Sequence, residues 1–349
     1  MDELAGRSVL AIDLGGTQIR AALITPDLAV HERRAVPTRD EEGAEAVLAR
    51  ICEVAAEVRD HARAAGLPAP AAVGISAPGP LDPWRGVVLA PPNLAGWHDV
   101  PLGSRVADVL GLPTFVERDT NVAVLAEWRY GAARGARTVI YVTVSTGIGG
   151  GVIVDERPLI GPDGTAGEIG HLVVELDGPV CGCGRIGHVE AIASGTALAR
   201  DARALLDRGA SPRLTQLAAT GAAVDAALVA RAADEGDTEC ANLLARAWVT
   251  IGAMCGSLVN VLNPDVIVIG GSIAEHRPEL FAAVRVEIGR RAFDVPASRV
   301  RVEPAALNED VSLIGTLPIV AARLGDPAFR HGSHRPRMAA TNEQGAHRP

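Results

Sequence analysis

One short stretch of the chain, residues 171–190, concentrates sulfur and nitrogen ligands. It reads HLVVELDGPVCGCGRIGHVE and contributes His171, Cys181, Cys183 and His188, with glycines among them. Two imidazoles and two thiolates are the donor set of a closed, four-coordinate zinc site. The Cys-x-Cys spacing is tighter than in common zinc fingers, but the glycines let the chain fold around an ion. The alternative, two exposed free thiols in one loop, would be a chemical liability, and we predict zinc here.

Two glycine-rich turns could cradle an anion. The first is DLGGTQ, from Asp13 to Gln18, and the second is STGIGGG, from Ser145 to Gly151. Glycine lets backbone amides approach a phosphate closely, and Asp13 could hold a metal ion through water. The second turn lacks the Gly-Lys-Ser/Thr of a P-loop and precedes a strand, so neither Walker nor Rossmann geometry fits. An ordinary hairpin explains either turn alone, whereas the repeated design favours a nucleotide.

An aspartate ends another buried strand in VERDTN, residues 116–121. Asp119 lies where two halves of the chain would meet, and clefts form at such junctions. A carboxylate in that place can take the proton of a hydroxyl as it attacks phosphorus. Capping the following helix is the commoner task for an aspartate here. Without further support, capping is the preferred interpretation.

The elements that must position these residues repeat. SVLAIDLGG, IRAALIT and HERRAVP predict a strand meander, and TVIYVTVSTGIGGGVIVD repeats the strand–turn–strand design later in the chain. The repetition predicts two α/β domains of like topology, with the glycine turns facing each other across a cleft. Helices are expected over Glu41–Ala65, Thr196–Asn263 and Val311–Leu324, the last with room for a bend at Pro318. The polar tail from Asp326 is expected to be disordered.

Composition excludes several classes of function. The 349-residue chain is 48% hydrophobic, carries a net charge of −9 and contains no lysine. Its length predicts two domains, and its acidity disfavours nucleic acid or an anionic membrane as partner. Schiff-base chemistry and a lysine phosphate clamp both require a primary amine. The charged start and the lack of a membrane-length apolar run predict a cytoplasmic, reducing location, where Cys181 and Cys183 would be ligands rather than a disulfide.

Taken in order, the motifs resemble one known family. The chain carries DLGGT, GISAPGPLD, PPNLAGWHDVPL, RDTNVAVLAEW, VSTGIGGGV, GTAGEIGHL, CGCGRIGHVEAIASG and NPDVIVIGG. This series, from Asp13 to Gly271, is similar to that of the ROK family. The resemblance implies an actin-like ATPase (ribonuclease H-like) fold, with sugar and MgATP in a central cleft. It implies a small α/β domain of residues 1–119 and 308–325, and a large α/β domain of residues 120–307 that carries the zinc loop.

The resemblance also implies roles for individual residues. Asp119 is expected to be the catalytic base, and Gly79 to lie in a nearby backbone turn. The other expected contacts are Asp13, Gly15, Gly16 and Thr17 in the first phosphate loop, Thr146 and Gly147 in the second, Gly270 and Gly271 near adenosine, and Asn93, Asp119, Glu168, His171 and Glu190 at the sugar. The zinc is then structural, and it fixes the flanking Glu168 and Glu190. His171 is expected to bind zinc with one ring nitrogen and offer the other to the sugar.

The chain departs from the family pattern at three positions. Cysteine is usual where His188 stands and lysine where Gln18 stands, and zinc accepts histidine readily. Arg118 stands where asparagine usually contacts the sugar. It could turn away, pair with a carboxylate such as Asp119, or select a different sugar; strand alternation favours the first outcome or a phosphate-side role. We therefore expect weaker glucose binding than in an asparagine-bearing relative, and a lower Michaelis constant in Arg118→Asn.

The expected activity is ATP-dependent phosphorylation of the 6-hydroxyl of a hexose, foremost glucose. N-acylmannosamine or fructose are the alternative substrates, and polyphosphate is a less expected donor because relatives that use it generally lack the cysteine cluster. A sugar-responsive repressor is a different class, but it needs a winged helix-turn-helix before the first strand, and we expect none. A catalytically inactive sugar-binding protein is a third class, which the retained Asp119 and glycine turns disfavour. We expect a homodimer or homotetramer.

Overall fold

The computed structural model describes residues 6–325 of the chain. Its strands are β1 (Ser8–Leu14), β2 (Gln18–Ile24), β3 (Val30–Pro37), β4 (Pro70–Ala77), β5 (Leu81–Asp82), β6 (Val87–Val88), β7 (Thr114–Arg118), β8 (Val139–Val144), β9 (Ile148–Val154), β10 (Arg157–Pro158), β11 (Val266–Gly270) and β12 (Arg301–Pro304). One sheet has the order β3-β2-β1-β4-β7, and the other has the order β10-β9-β8-β11-β12. In both sheets the first three strands are antiparallel neighbours and the last two run parallel to the first. The predicted repeat is confirmed.

The helices are α1 (Ala44–Ala64), α2 (Leu102–Leu110), α3 (Asp119–Tyr130), α4 (Glu190–Ala193), α5 (Gly195–Asp207), α6 (Pro212–Ala218), α7 (Ala226–Asp234), α8 (Thr238–Leu262), α9 (Pro278–Arg291), α10 (Asp294–Arg299), α11 (Val311–Ile314) and α12 (Thr316–Arg323). Short 3-10 turns lie at Asp40–Glu42, Ile169–His171, Ala274–His276 and Asn308–Asp310. The helix predicted after β3 corresponds to α1, and the long helical region predicted in the second half is divided among α5 to α8.

Helix α3 lies between the two sheets. Val122 packs with Val9 of β1 in one core, whereas Ala123 and Val124 pack with Tyr141 of β8 in another. The opposite face of the first sheet is covered by α1 and α2, and the opposite face of the second sheet by helices between α5 and α9. Burial of apolar side chains on two sides therefore fixes α3 in place.

The last helical segment differs from its prediction. It breaks at Gly315, between α11 and α12, and not at Pro318. A Cβ on Gly315 would lie 2.3 Å from the Val122 carbonyl oxygen, so glycine permits close approach to α3. Pro318 is the third residue of α12, where an amide has no partner within the helix, and proline is tolerated there. The two proposed domain boundaries stay predictions, and the expectation for residues 326–349 lies outside the described residues.

One described helix, α8, is long and apolar enough to cross a membrane, judged by length and composition alone. Leu244, Trp248, Ile251 and Val259 of this helix are buried in the core beneath the second sheet. The core helices of folded domains meet the same criterion.

Candidate active site

Three chain segments that carry predicted site residues end at one edge of the first sheet. Strands β1, β4 and β7 are parallel neighbours, so their carboxyl ends lie side by side. Asp13 is near the end of β1, Gly79 follows β4 and Asp119 follows β7. The sheet topology therefore gathers these three residues next to the N-terminus of α3.

Asp119 is the first residue of α3, and its side chain is open to solvent in the space between the sheets. Its Oδ1 accepts a 2.7 Å hydrogen bond from the Thr120 amide, and no side chain caps α3. The protein packed around its closed sides removes hydration from the carboxylate and raises the pKa of Asp119 to about 6. A carboxylate with this pKa is poised to exchange a proton near neutral pH. The side chain thus does not serve as the N-cap that residue type alone favours.

The first glycine turn connects β1 to β2. The Gly15 amide donates to the Gln18 carbonyl oxygen at 2.9 Å. Gly16 lies so close to Asn93 that a Cβ on it would be 3.0 Å from the Asn93 carbonyl oxygen. Thr17 is exposed at the end of the turn. The structure therefore brings the predicted phosphate loop and the predicted sugar contact Asn93 together.

Asp13 has a partner that the sequence analysis missed. Its Oδ2 accepts hydrogen bonds from Arg20 Nη2 at 2.7 Å and from Arg20 Nε at 3.0 Å. The two residues face each other in the antiparallel register of β1 and β2. Alternating strand positions in a hairpin could have suggested this pair, since its members lie on one face. The pair fixes the Asp13 carboxylate near Asp119.

The second glycine turn is shorter than the glycine run in the sequence. It spans Ser145–Gly147, where the Ser145 amide donates to the Gly147 carbonyl oxygen at 3.0 Å. The later glycines belong to β9. Added Cβ atoms at Gly149 and Gly151 would lie 2.8 Å from Thr120 Cγ2 and 2.3 Å from the Thr120 carbonyl oxygen. These glycines therefore admit α3 against the strand, and the interpretation of the whole run as an anion cradle was too broad.

A cavity of about 680 Å³ opens beside the second turn. Ser145 and Thr146 line one side, and Leu198 of α5 and Ala230 of α7 contribute to apolar walls. Charged side chains line it as well, among them Arg203, Asp225 and Arg277. A cavity of this size with apolar walls and a limited number of polar groups is suited to a small molecule the size of a nucleoside. The structure therefore places the second glycine turn at the wall of this cavity.

The predicted pair Gly270 and Gly271 directly precedes Ser272, which lines this cavity. Gly271 has a φ of +97°, and a Cβ on it would lie 2.6 Å from the Val144 carbonyl oxygen. The chain then turns so that Ser272 lines the cavity, with its Oγ 2.9 Å from Ser145 Oγ. Ser272 and Thr196 are lining residues that the sequence analysis did not identify, because single hydroxyls carry no motif.

His171, Cys181, Cys183 and His188 come together as predicted, with one ligand atom of each lying within 4.8 Å of the others. The two imidazole Nδ1 atoms are 3.1 Å apart, Cys181 Sγ is 3.8 Å from His171 Nδ1, and Cys183 Sγ is 3.4 Å from His188 Nδ1. Tetrahedral zinc, with bonds of about 2.0–2.3 Å, separates neighbouring ligand atoms by roughly 3.3–3.8 Å. The separations of 3.4 and 3.8 Å lie in this range and that of 3.1 Å lies just below it, so the donor types and their spacing suit a zinc ion.

Two carboxylates flank this cluster. Glu168 Oε2 lies 4.0 Å from His171 Nε2, so the His171 ring directs Nδ1 to the cluster and Nε2 towards Glu168. Glu190 Oε1 lies 3.6 Å from Cys181 Sγ, and its Oε2 accepts a 3.0 Å hydrogen bond from the Ile148 amide. The cluster thus contacts both predicted sugar-binding carboxylates, and one of them also contacts the strand after the second turn.

Arg118 pairs with Glu168 and not with Asp119. Among the three orientations considered from the sequence, pairing with a carboxylate is the one found, but the carboxylate is a different one. Strand alternation was a poor guide because β7 ends at Arg118 and Asp119 already belongs to α3. Gly79 lies against the stem of Arg118, where a Cβ would be 2.9 Å from Cδ.

Two sheets of one topology, with a glycine turn from each and a carboxylate between them, define an actin-like ATPase fold, as the sequence predicted. The chain belongs to the ROK family, whose family model matches residues 9–323. The family resemblance drawn from the motifs is therefore confirmed.

Three relatives illustrate the range of the match. The chain is 34% identical over 317 residues to the glucokinase of Thermotoga maritima, which covers 91% of this chain and 98% of that protein. It is 35% identical over 267 residues to the N-acetylmannosamine kinase of Shigella flexneri, which covers 76% of this chain and 83% of that protein. The crystal structure of a ROK glucokinase from Streptomyces griseus in complex with glucose and AMPPNP superposes with a TM-score of 0.75 at 30% identity, covering 89% of this chain and 98% of that one.

Proposed function

We propose that this protein is an ATP-dependent hexose kinase that phosphorylates the 6-hydroxyl of glucose. The observation that carries the proposal is the Asp119 carboxylate, with a pKa of about 6, open to the space between the two sheets. The relatives named as glucokinases support the choice of sugar, and the neighbour that holds glucose and AMPPNP supports ATP as the donor.

In the proposed reaction, Asp119 accepts the proton of the sugar 6-hydroxyl while its oxygen attacks the γ-phosphorus of ATP. A bond forms between that oxygen and phosphorus, the bond from phosphorus to the β–γ bridging oxygen breaks, and ADP leaves with the electron pair. Mg²⁺ bound with ATP would neutralise charge on the phosphates. Asp13, oriented by Arg20, is the carboxylate proposed to reach that ion through water.

The phosphates are proposed to bind between the two glycine turns. Gly15, Gly16 and Thr17 would contribute backbone groups from one side, and Thr146 and Gly147 from the other. The cavity of about 680 Å³ would take the adenosine. Gly270 and Gly271 form the turn that leads into its wall at Ser272. The size of that cavity, its apolar walls and the hydroxyl and charged side chains among them support a nucleoside in this position.

The sugar is proposed to contact Asp119 together with Asn93, Glu168, His171 and Glu190, with the Gly79 turn nearby. Carboxylates and an amide can each hold sugar hydroxyls by hydrogen bonds. Their clustering around the edge of the first sheet and the Cys/His cluster supports the assignment. The relative named as an N-acetylmannosamine kinase supports that sugar as the alternative substrate.

We further propose that the Cys/His cluster holds one structural zinc ion. His171, Cys181, Cys183 and His188 would complete a closed tetrahedral site, which stabilises a loop rather than catalyses a reaction. The exposed apolar side chains of Val261, on α8, and Phe293, just before α10, support the proposed homodimer or homotetramer. A cytoplasmic location is proposed from the cysteine usage.

A coupled assay of ADP release with a panel of sugars tests the proposed function. We expect glucose to give the highest kcat/KM, with fructose and N-acetylmannosamine lower, and ADP release at least about 10²-fold slower with Asp119→Asn. A higher kcat/KM for N-acetylmannosamine would replace glucose by the alternative. ADP release from no sugar in the panel, by protein that melts cooperatively, would reject the kinase proposal.

A further inference from the structure

Two arginines are buried in the part of the chain that the structure describes, Arg118 and Arg323, with 3% and 5% of their surface exposed. Arg323, from α12, pairs with Glu117 of β7. The neighbouring Arg118 reaches away from α12 and into the second half of the molecule. A buried guanidinium persists where its charge is paired, because desolvating a charge is costly; for Arg118, Nη1 and Nη2 have partners and the buried Nε has none among the described residues. The carboxylate that meets Arg118 is a proposed sugar contact.

The partners of Arg118 come from three segments of the chain. Nη1 forms an ion pair with the Glu168 carboxylate. The two N–H groups of Nη2 are shared among three acceptors: the carbonyl oxygens of Ala166 at 2.6 Å and Gly150 at 3.1 Å, and Asn121 Oδ1 at 3.3 Å. One guanidinium thus connects the first turn of α3, strand β9 and the loop that carries Glu168. Lysine could not reproduce this set, since its single ammonium lacks the planar fork.

Two glycines make room for this arrangement. A Cβ on Gly79 would lie 2.9 Å from Arg118 Cδ, and one on Gly167, which has a φ of +88°, would lie 3.1 Å from Arg118 Nη2. Gly167 directly precedes Glu168, so a bend favoured by glycine turns that carboxylate towards the guanidinium. The Glu168 side chain is otherwise 42% exposed, and an exposed glutamate is conformationally free without such a partner.

We propose that Arg118 is a positioning residue that orients Glu168 for sugar binding and ties the Asp119 segment to the second half of the molecule. The inference rests on the proposed function, because Glu168 acts here as a sugar contact. Arg118 is buried, so it acts through Glu168 rather than on the sugar directly. The sequence analysis expected Arg118→Asn to lower the Michaelis constant for glucose. The proposed role predicts the opposite, because the substitution would release Glu168 and raise the Michaelis constant for sugar.

Charge provides a second readout. The charged groups that act on Asp119 are Arg118, which lowers its pKa, and Asp13 and Glu168, which raise it. Arg118→Met removes the positive charge, so the acid limb of the rate profile should move to higher pH. Arg118→Lys keeps the charge and loses the fork, so the limb should stay while sugar affinity falls. A role in packing alone would not separate these two variants.

The test is a double-mutant cycle of Arg118→Met and Glu168→Gln, with Arg118→Lys as the charge-matched control. Sugar affinity is measured by calorimetry without nucleotide, kcat and KM by ADP release, and folding by thermal melts. We expect Arg118→Met to raise the Kd for glucose about tenfold or more, with a smaller change in kcat. Most of that penalty should vanish in the Glu168→Gln background, because the two residues share one interaction.

Unchanged or tighter glucose binding in folded Arg118→Met would overturn the proposal, as would fully additive penalties in the cycle. If Arg118→Met does not fold, Arg118→Lys decides the matter: a raised glucose Kd at a near-native melting temperature supports the role, and an unchanged Kd refutes it. Wild-type protein that binds and phosphorylates no sugar would reject the proposed function instead. Wild-type activity beside unaffected Arg118 variants would reject only the role of Arg118.

Discussion

Replacing Asp119 with asparagine separates the basicity of the proposed base from its shape. The amide keeps an oxygen that can accept the hydrogen bond from Thr120 N, now 2.7 Å long, and it still fits the same space. It cannot accept the proton of the sugar hydroxyl. A positioned general base contributes typically ~10²–10⁴ in rate, equivalent to about 3–5 kcal/mol of transition-state stabilisation. We therefore expect kcat to fall by at least about 10²-fold, while glucose affinity is largely retained.

The raised pKa of Asp119 gives the same prediction a pH dependence. Loss of hydration favours the neutral carboxyl and raises the pKa to about 6, and only the deprotonated form can act as a base. The value of kcat/KM, which reports on the free enzyme, should therefore be half-maximal near pH 6. It should fall about tenfold per pH unit below that pH and level off above about pH 7. Asp119→Asn should lose this acid limb along with its activity.

The assay is coupled ADP release across pH, with glucose binding followed by calorimetry. Asp108→Asn is a matched control, because Asp108 is an exposed aspartate on α2 away from the site, and its activity should be native at every pH. Turnover by Asp119→Asn within a few-fold of the native rate, or an acid limb that persists in the variant, would show that another group takes the proton.

Three further predictions concern the proposed zinc site, the hydrogen bonds of Glu127 and the second glycine turn. Protein purified without a histidine tag should contain about one zinc per chain. Cys181→Ala should lose the zinc and bind sugar more weakly, whereas the control variant Cys52→Ala, in α1, should keep it. Unchanged metal content in Cys181→Ala would contradict the assigned ligands. Glu127→Gln should lower the free energy of unfolding, measured in urea, by about 1–3 kcal/mol. Glu127 accepts hydrogen bonds from the backbone amides of Ala132, Ala306 and Leu307, and the side-chain nitrogen of glutamine cannot accept a hydrogen bond. An unchanged free energy of unfolding would contradict this prediction. Gly147→Ala should raise the Michaelis constants for ATP and sugar several-fold, because the new Cβ would lie 2.6 Å from Glu190 Oε2; native constants would show that Glu190 moves without consequence.

The sequence was informative where short-range patterns decide the structure. Alternating apolar segments separated by glycine turns predicted β1 with β2 and β8 with β9, and the repetition predicted two sheets of one topology. The grouping of the two cysteines and two histidines was also predictable from the sequence, because these residue types have few other uses in one loop. The role of Asp119 was harder to predict, because a helix cap and a catalytic base can both be an aspartate at the end of a strand. The raised pKa that favours a base comes from the surrounding protein and is not visible in the sequence.

Long-range pairs were not legible. Arg118 meets Glu168 through a loop that no local pattern places, and a difference of one residue in where β7 ends was enough to invalidate the alternation argument. Gly149 and Gly151 were ambiguous for another reason. A residue without a Cβ serves a phosphate and a packed helix equally well, so only the position of α3 distinguishes the two uses.

Glu190 links the Cys/His cluster to the second glycine turn. Its Oε1 lies 3.6 Å from Cys181 Sγ, and its Oε2 holds the Ile148 amide at the end of the turn. The two oxygens of one carboxylate are rigidly linked, so a shift of the cluster displaces the partner of Ile148, and a side chain added at Gly147 displaces the neighbour of Cys181. The Cys181→Ala and Gly147→Ala variants thus perturb one carboxylate from opposite ends. Because Glu190 is also a proposed sugar contact, its position would couple the Cys/His cluster, the second glycine turn and the sugar through a single side chain.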